Sequence, residues 1–239
     1  MSEAASLLGR YLQQRREMGE LELIFRGQPL AALVASDSPP VIHAPATAES
    51  LGAEAGPLER LKVLASGCTA CGLAATRSTV VFGEGNPRAE VVVVGEAPGA
   101  EEDRSGRPFV GRAGKLLDVL LASVGFPRET VYICNVLKCR PPGNRNPRPD
   151  EVESCSHFLK GQLETIAPKA ILACGTFSAQ TLLASGETIG TLRSGSHSYE
   201  GIPLVATYHP AALLRNPAWI RPVWEDLQRL RQTIDRSRE

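Results

Sequence analysis

The 239-residue sequence has no excess charge of either sign: 26 lysines and arginines stand against 26 aspartates and glutamates. The field of the whole molecule therefore gives no reason to expect a polyanionic partner, and any attraction to phosphates must come from a local cluster. Nor does any apolar run approach the roughly 20 residues that a membrane-spanning helix requires. The opening stretch MSEAASLLGRYLQQRREMGE lacks the basic-then-apolar plan of a secretory signal. A cytosolic chain is expected, long enough to bury one good core with room for an appendage.

Two phosphate-binding signatures are also missing where they would be looked for first. The valine run Val91 to Val94 ends in Gly95 and the turn GEAPGAEED. A Walker-type loop would continue to a Gly-Lys-Ser/Thr, and a dinucleotide fingerprint would close tightly as G-x-G-x-x-G. Here Pro98 and the acids Glu101, Glu102 and Asp103 stand instead, and acids repel phosphate. An ordinary tight turn accounts for the glycines. It leaves Glu96 at a strand end, and the RPFVGRAG that follows, without a purpose.

What is present is alternation. Stretches 89–95, 130–136, 169–175 and 202–208 are short and β-branched. Between them 113–125, 149–166 and 176–185 are apolar on one helical face. Because Val91 to Val94 are uninterruptedly apolar, that strand is expected to be covered on both faces. The pattern is α/β, with a mostly parallel sheet between helices and a ligand site beyond the carboxyl ends of the strands. Residues 58–239 form this domain. Residues 1–57 read as an appendage: a short amphipathic helix with Leu7, Leu8, Tyr11 and Leu12 on one face, suited to a protein partner, then a Pro/Ala-rich linker from Ala35 to Pro57.

Six cysteines in a reducing compartment are expected as ligands or small buried side chains rather than disulfides. Cys68 and Cys71 form C-x-x-C, and Cys139 and Cys155 follow far downstream, as when two chain segments supply thiolates to one point. Spacing alone leaves zinc and iron-sulfur equally open. Cys134 and Cys174 lie in apolar strand ends and read as core.

The remaining strand-end loops carry polar groups. Asn135 offers one acceptor and two donors, which suits the polar edge of a pyrimidine. Lys138, Arg140, Arg145 and Arg148 make a local basic stretch suited to phosphates. In YHPAALLRNP, His209 stands at a strand end, and Leu213, Leu214 and Arg215 are expected to be exposed, the leucines as a wedge between bases and the arginine on phosphate.

Taken together, GEAPGAEED, GRPFVGRAGKLLD, YICNVLKCRPPGNRNP and HPAALLRNP resemble the family 4 uracil-DNA glycosylases, the iron-sulfur branch of their superfamily, in order and over about Leu61 to Asp235. The resemblance implies a three-layer α/β/α sandwich around a four-stranded mostly parallel sheet, and a [4Fe-4S] cluster on Cys68, Cys71, Cys139 and Cys155. It implies that Phe109 stacks on a flipped base, Asn135 reads uracil, His209 stands beside a uracil carbonyl, and Glu96 with Ala97 forms the first motif. Better-studied relatives carry a water-orienting aspartate at the position of Ala97, so the group that activates water is open. The implied activity is removal of uracil from DNA in base excision repair, by a monomer of the bacterial or archaeal cytosol. Two alternatives stand beside it: a glycosylase for hypoxanthine or xanthine, and a non-catalytic iron-sulfur DNA-binding module.

Overall fold

The structure, a computed structural model, describes residues 56–238. The amphipathic helix and linker expected in residues 1–57 lie outside the described residues, apart from Gly56 and Pro57.

In chain order the elements are α1 (Pro57–Ser66), β1 (Glu84–Gly85), β2 (Val91–Gly95), α2 (Ala100–Ser105), α3 (Arg112–Ser123), β3 (Tyr132–Asn135), α4 (Pro149–Ile166), β4 (Ala170–Cys174), α5 (Thr176–Leu183), α6 (Ile189–Leu192), β5 (His197–Tyr199), β6 (Ile202–Thr207), α7 (Pro210–Arg215) and α8 (Ile220–Arg236). The strands form one sheet in the order β1-β3-β2-β4-β6-β5. The four expected strands are its parallel centre: Val94 is paired with Cys134 on one side and with Ala173 on the other, and Ala173 in turn with Ala206. The sheet has six strands rather than four, because β1 and β5 add antiparallel edges of two and three residues. Segments so short carry no readable alternation.

Every residue of β2 and β4 is buried, as a central parallel strand covered on both faces requires. Val92, Val94, Ile171 and Ala173 pack with Leu159 and Leu163 of α4 and Ala179 and Leu182 of α5 on one face. Val91, Val93 and Leu172, offset by one, turn to the other face, where α8 lies along β4 and β6 and α3 packs on α7 and α8. The α4 helix keeps the bounds read from the sequence. Pro149 opens it, and Glu151 caps it by accepting from the Arg148 backbone N–H at 2.8 Å. Cys134 and Cys174 are fully buried among these layers, as small core side chains.

Among the described residues no helix is long and apolar enough to cross a membrane.

Candidate active site

The carboxyl ends of the four parallel strands open into one cavity of about 690 Å³. Glu96 and Ala97 follow β2, Asn135 ends β3 and His209 follows β6, while Phe109 reaches in from the loop between α2 and α3. All five line the cavity. So do Arg145 and Arg215.

Phe109 is held in a strained pose. Its φ is +50°, in the left-handed region that a bulky residue rarely adopts. Three contacts impose it. The Arg128 guanidinium donates to the Pro108 carbonyl at 2.6 Å and the Phe109 carbonyl at 3.2 Å, while Glu84 and Asp118 anchor Arg128 itself. From the other side Glu102 Oε1 accepts from the Val110 and Gly111 N–H groups, both at 2.9 Å. Finally α3 presses Gly114 against the loop so closely that a Cβ there would lie 1.8 Å from the Phe109 oxygen. Gly114 of GRAG is therefore part of the means by which a phenyl ring is aimed.

Asn135 is buried, and its side-chain amide makes no hydrogen bond to another described residue, so its acceptor and donors remain for a ligand. A Cβ on Gly95 would stand 2.3 Å from Asn135 Oδ1 and 2.6 Å from Phe109 Cζ. Amide and ring thus meet above a residue that must lack a side chain.

His209 completes the group, with its ring centroid 5.5 Å from that of Phe109 in a stacked arrangement. It caps α7, its Nδ1 accepting from the Ala211 N–H at 3.1 Å. An Nδ1 that accepts a hydrogen bond carries no proton, so the neutral ring carries its N–H at Nε2. Burial, and then the positive charge of Arg215, hold its pKa down to about 4. The ring is neutral at pH 7 and a hydrogen-bond donor.

Two carboxylates share the cavity. Burial pushes the Glu96 carboxyl above its usual value. Glu102, seven residues into the same motif, was not singled out by the sequence. The signal available was the first turn of α2, which directs it back under the Phe109 loop.

Two basic-loop and wedge expectations need correction. Lys138 does not face solvent or phosphate: it is 1% exposed, and its ammonium donates to the Asn135 carbonyl at 2.7 Å and to Gln162 Oε1 at 2.6 Å. Gln162 in turn donates to the Phe82 carbonyl and the Tyr132 hydroxyl. Lys138 is thus a brace beneath Asn135. Leu213 is not a wedge either, because it is fully buried in α7, a helix that packs against α3. Leu214 is half-buried and Arg215 exposed. Arg140 is half-buried and donates to Asn144 Oδ1 at 2.8 Å. Arg145 forms a two-pronged ion pair with Glu151 at 2.6 and 2.9 Å, which commits much of its charge inside the protein.

Below the loop that carries Lys138, a hollow is lined by Cys68, Cys71, Cys139 and Cys155 together with Arg77. The Arg77 guanidinium donates to Cys139 Sγ and the Lys138 backbone N–H to Cys155 Sγ, each at 3.4 Å. Burial pushes the Cys139 thiol up to about 11, and the Cys155 thiol upward as well. All six cysteines are unbridged. Among the described residues no group of three or more His, Cys, Asp or Glu is arranged to hold a metal ion.

Residues 82–228 match the family model of the Uracil DNA glycosylase superfamily. The chain is 45% identical over 175 residues to the Type-4 uracil-DNA glycosylase of Thermotoga maritima, covering 71% of this chain and 91% of that protein. To the Type-4 uracil-DNA glycosylase of Archaeoglobus fulgidus it is 48% identical over 158 residues, or 63% of this chain and 79% of the relative. To that of Sulfurisphaera tokodaii it is 41% identical over 184 residues, or 73% and 84%. With the strand-end residues assembled in one cavity and the match running across more than half of the chain, the protein belongs to the uracil DNA glycosylase superfamily.

Proposed function

We propose that the protein removes uracil from DNA by hydrolysing the bond between the base and its deoxyribose. The observation that carries this reading is the meeting of a phenyl ring, an amide and a neutral imidazole around one cavity. The target bond lies inside a stacked duplex, so the nucleotide must first rotate outward, at a cost of a few kcal/mol. Phe109 then offers its face to the extruded base, and the Asn135 amide takes the uracil edge, accepting from N3–H and donating to O4. Cytosine presents an amine where the amide donates, and a buried unmatched donor penalises it heavily.

When the sugar-base bond breaks, its electron pair leaves on uracil and positive character develops on the deoxyribose. His209 donates its Nε2–H to the uracil oxygen that gains charge. A neutral imidazole stabilises that anion without surrendering its proton to it. The Glu96 carboxylate steadies the sugar cation, and the backbone of Glu96 and Ala97 supports the base. Water adds to the sugar carbon, and one of its protons ends on the released base. Arg140 and Arg215 meet the flanking phosphates, with Leu214 beside the vacated stack.

By its chemistry, four thiols lining one hollow, the donor set is of the kind that would hold a [4Fe-4S] cluster, with Cys68, Cys71, Cys139 and Cys155 as its ligands. The segment after α1, the loop after β3 and helix α4 bring four sulfurs to one lined space, and two of them already receive N–H donors of the kind that surround cluster thiolates. Held there, it would tie the segment after α1 to the loop after β3 and to α4. Residues 58–239 are proposed as the catalytic domain.

The test is a strand-nicking assay. Alkali-labile breaks should appear in uracil-containing strands and not in strands carrying hypoxanthine or xanthine. Breaks only at the purines, or none at all, would overturn the reading.

A further inference from the structure

The cavity that holds Phe109, Asn135 and His209 is wider than one pyrimidine needs. It spans the carboxyl ends of β3, β2, β4 and β6, which is three strand spacings of about 4.8 Å, or roughly 14 Å in all. Its volume of about 690 Å³ lies within the range of about 300–1,000 Å³ of sites that enclose much larger ligands. Toward the β4 and β6 end its lining turns aromatic, with Phe177 on the first turn of α5, Tyr208 after β6, and Trp219 in the turn that precedes α8.

Tyr208 and Trp219 are stacked, with centroids 4.6 Å apart and planes 8° from parallel. The Arg193 guanidinium sits 5.6 Å from the Tyr208 centroid, and Asp226 holds Arg193 in place through bonds of 3.0 and 2.8 Å. The aromatic pair is therefore fixed before any ligand arrives. Both rings are part-exposed. Arg215 lines the same cavity and lies between His209 and Trp219 in the chain, where a cation suits the phosphate that links two nucleotides.

We propose that Trp219, backed by Tyr208, is a stacking subsite for the base that adjoins the flipped deoxyuridine on the same strand. Given the uracil reading, the occupant follows from continuity. The subsite opens into the cavity that takes the uracil, so the part of the ligand nearest to it is the next nucleotide. Stacking on an aromatic side chain is tolerant of base identity, because every base has a π-face. The subsite therefore adds affinity without sequence preference.

The experiment uses the full-length protein and single-stranded oligonucleotides carrying one uracil, in which the neighbouring nucleotide on either side keeps its base or is a tetrahydrofuran abasic analogue. For the wild type, loss of one neighbouring base should raise KM roughly tenfold and leave the rate at saturation within about twofold. Trp219→Ala should show the higher KM with the intact strand and no further rise with the abasic neighbour. Trp219→Phe should behave much like the wild type. Trp219 emission, read as wild type minus Trp219→Phe, should quench with the intact strand and not with the abasic one. That reading decides the matter even if the alanine variant does not fold or no uracil is released. Uracil release with a KM indifferent to both neighbours, or quenching independent of them, would overturn the subsite and leave the uracil reading standing. Quenching that follows the neighbouring base without any uracil release would sink the uracil reading instead.

Discussion

His209 should stay neutral across the whole working range of pH, and the consequence is measurable. A pKa of about 4 leaves roughly one ring in a thousand protonated at pH 7, against about one in four for a free imidazole near 6.5. Placing a proton on it in the folded protein therefore costs about 3 kcal/mol more than in water, at 1.36 kcal/mol per pKa unit. The chain has four histidines, so ring-proton NMR can follow each one. The His209 signals should not move between pH 8 and about 5.5, and nitrogen shifts should report the proton on Nε2. Single-turnover uracil release should likewise be level over that range. A residue acting as an imidazolium acid would instead give a rate that climbs as pH falls through 6.5. The stability linkage has the same origin: the folded pKa is depressed, so this contribution is present above about 6.5 and is lost as pH falls through about 4. A His209 resonance titrating near 6.5, or a rate rising with acid, would refute the neutral-donor assignment.

Replacing Asn135 with Asp removes the donor proposed for the uracil O4 carbonyl and should slow release from uracil-containing DNA by roughly 100-fold or more, read as single-turnover rates with binding measured separately. Gly95→Ala puts a methyl where Asn135 Oδ1 and Phe109 Cζ already lie within 2.6 Å. A displacement of about 1 Å should cost on the order of 100-fold in rate while circular dichroism stays unchanged. Lys138→Met strands the Asn135 carbonyl and Gln162 Oε1 in the interior, which should lower stability by about 2–4 kcal/mol in denaturant titration. Pairing it with Gln162→Leu should recover part of that loss. Cys155→Ser should abolish the visible absorbance and iron content of the purified protein; a colourless wild type carrying stoichiometric zinc would overturn the cluster.

Much of the fold was legible because burial writes a period into the chain. The unbroken valines of β2 announce a strand covered on both faces, and the apolar stripe from Pro149 to Ile166 marks α4 at both ends, since proline and Glu151 open it by local chemistry alone. Cys134 and Cys174 could be assigned to the core from their strand positions. The edge strands β1 and β5 could not be read, because two or three residues hold no period and their existence depends on a partner strand distant in the chain. The N-terminal 55 residues have a composition that suggests an appendage, and composition goes no further than that.

What the sequence determined by itself is the inventory: which residues end strands, which thiols are spaced to share a site, and which helices carry an apolar face. What the tertiary structure decided is who meets whom. Leu213 looks like an exposed wedge until α7 packs on α3, and Lys138 looks like a phosphate ligand until β3 turns it beneath Asn135. Glu102 and Arg128 look like surface charges until they close on the backbone of Phe109 from opposite sides. Periodicity records only whether a side chain is covered. The covering neighbour is fixed by strand order and by close approach at glycines such as Gly95 and Gly114, which depend on contacts between segments far apart in the chain.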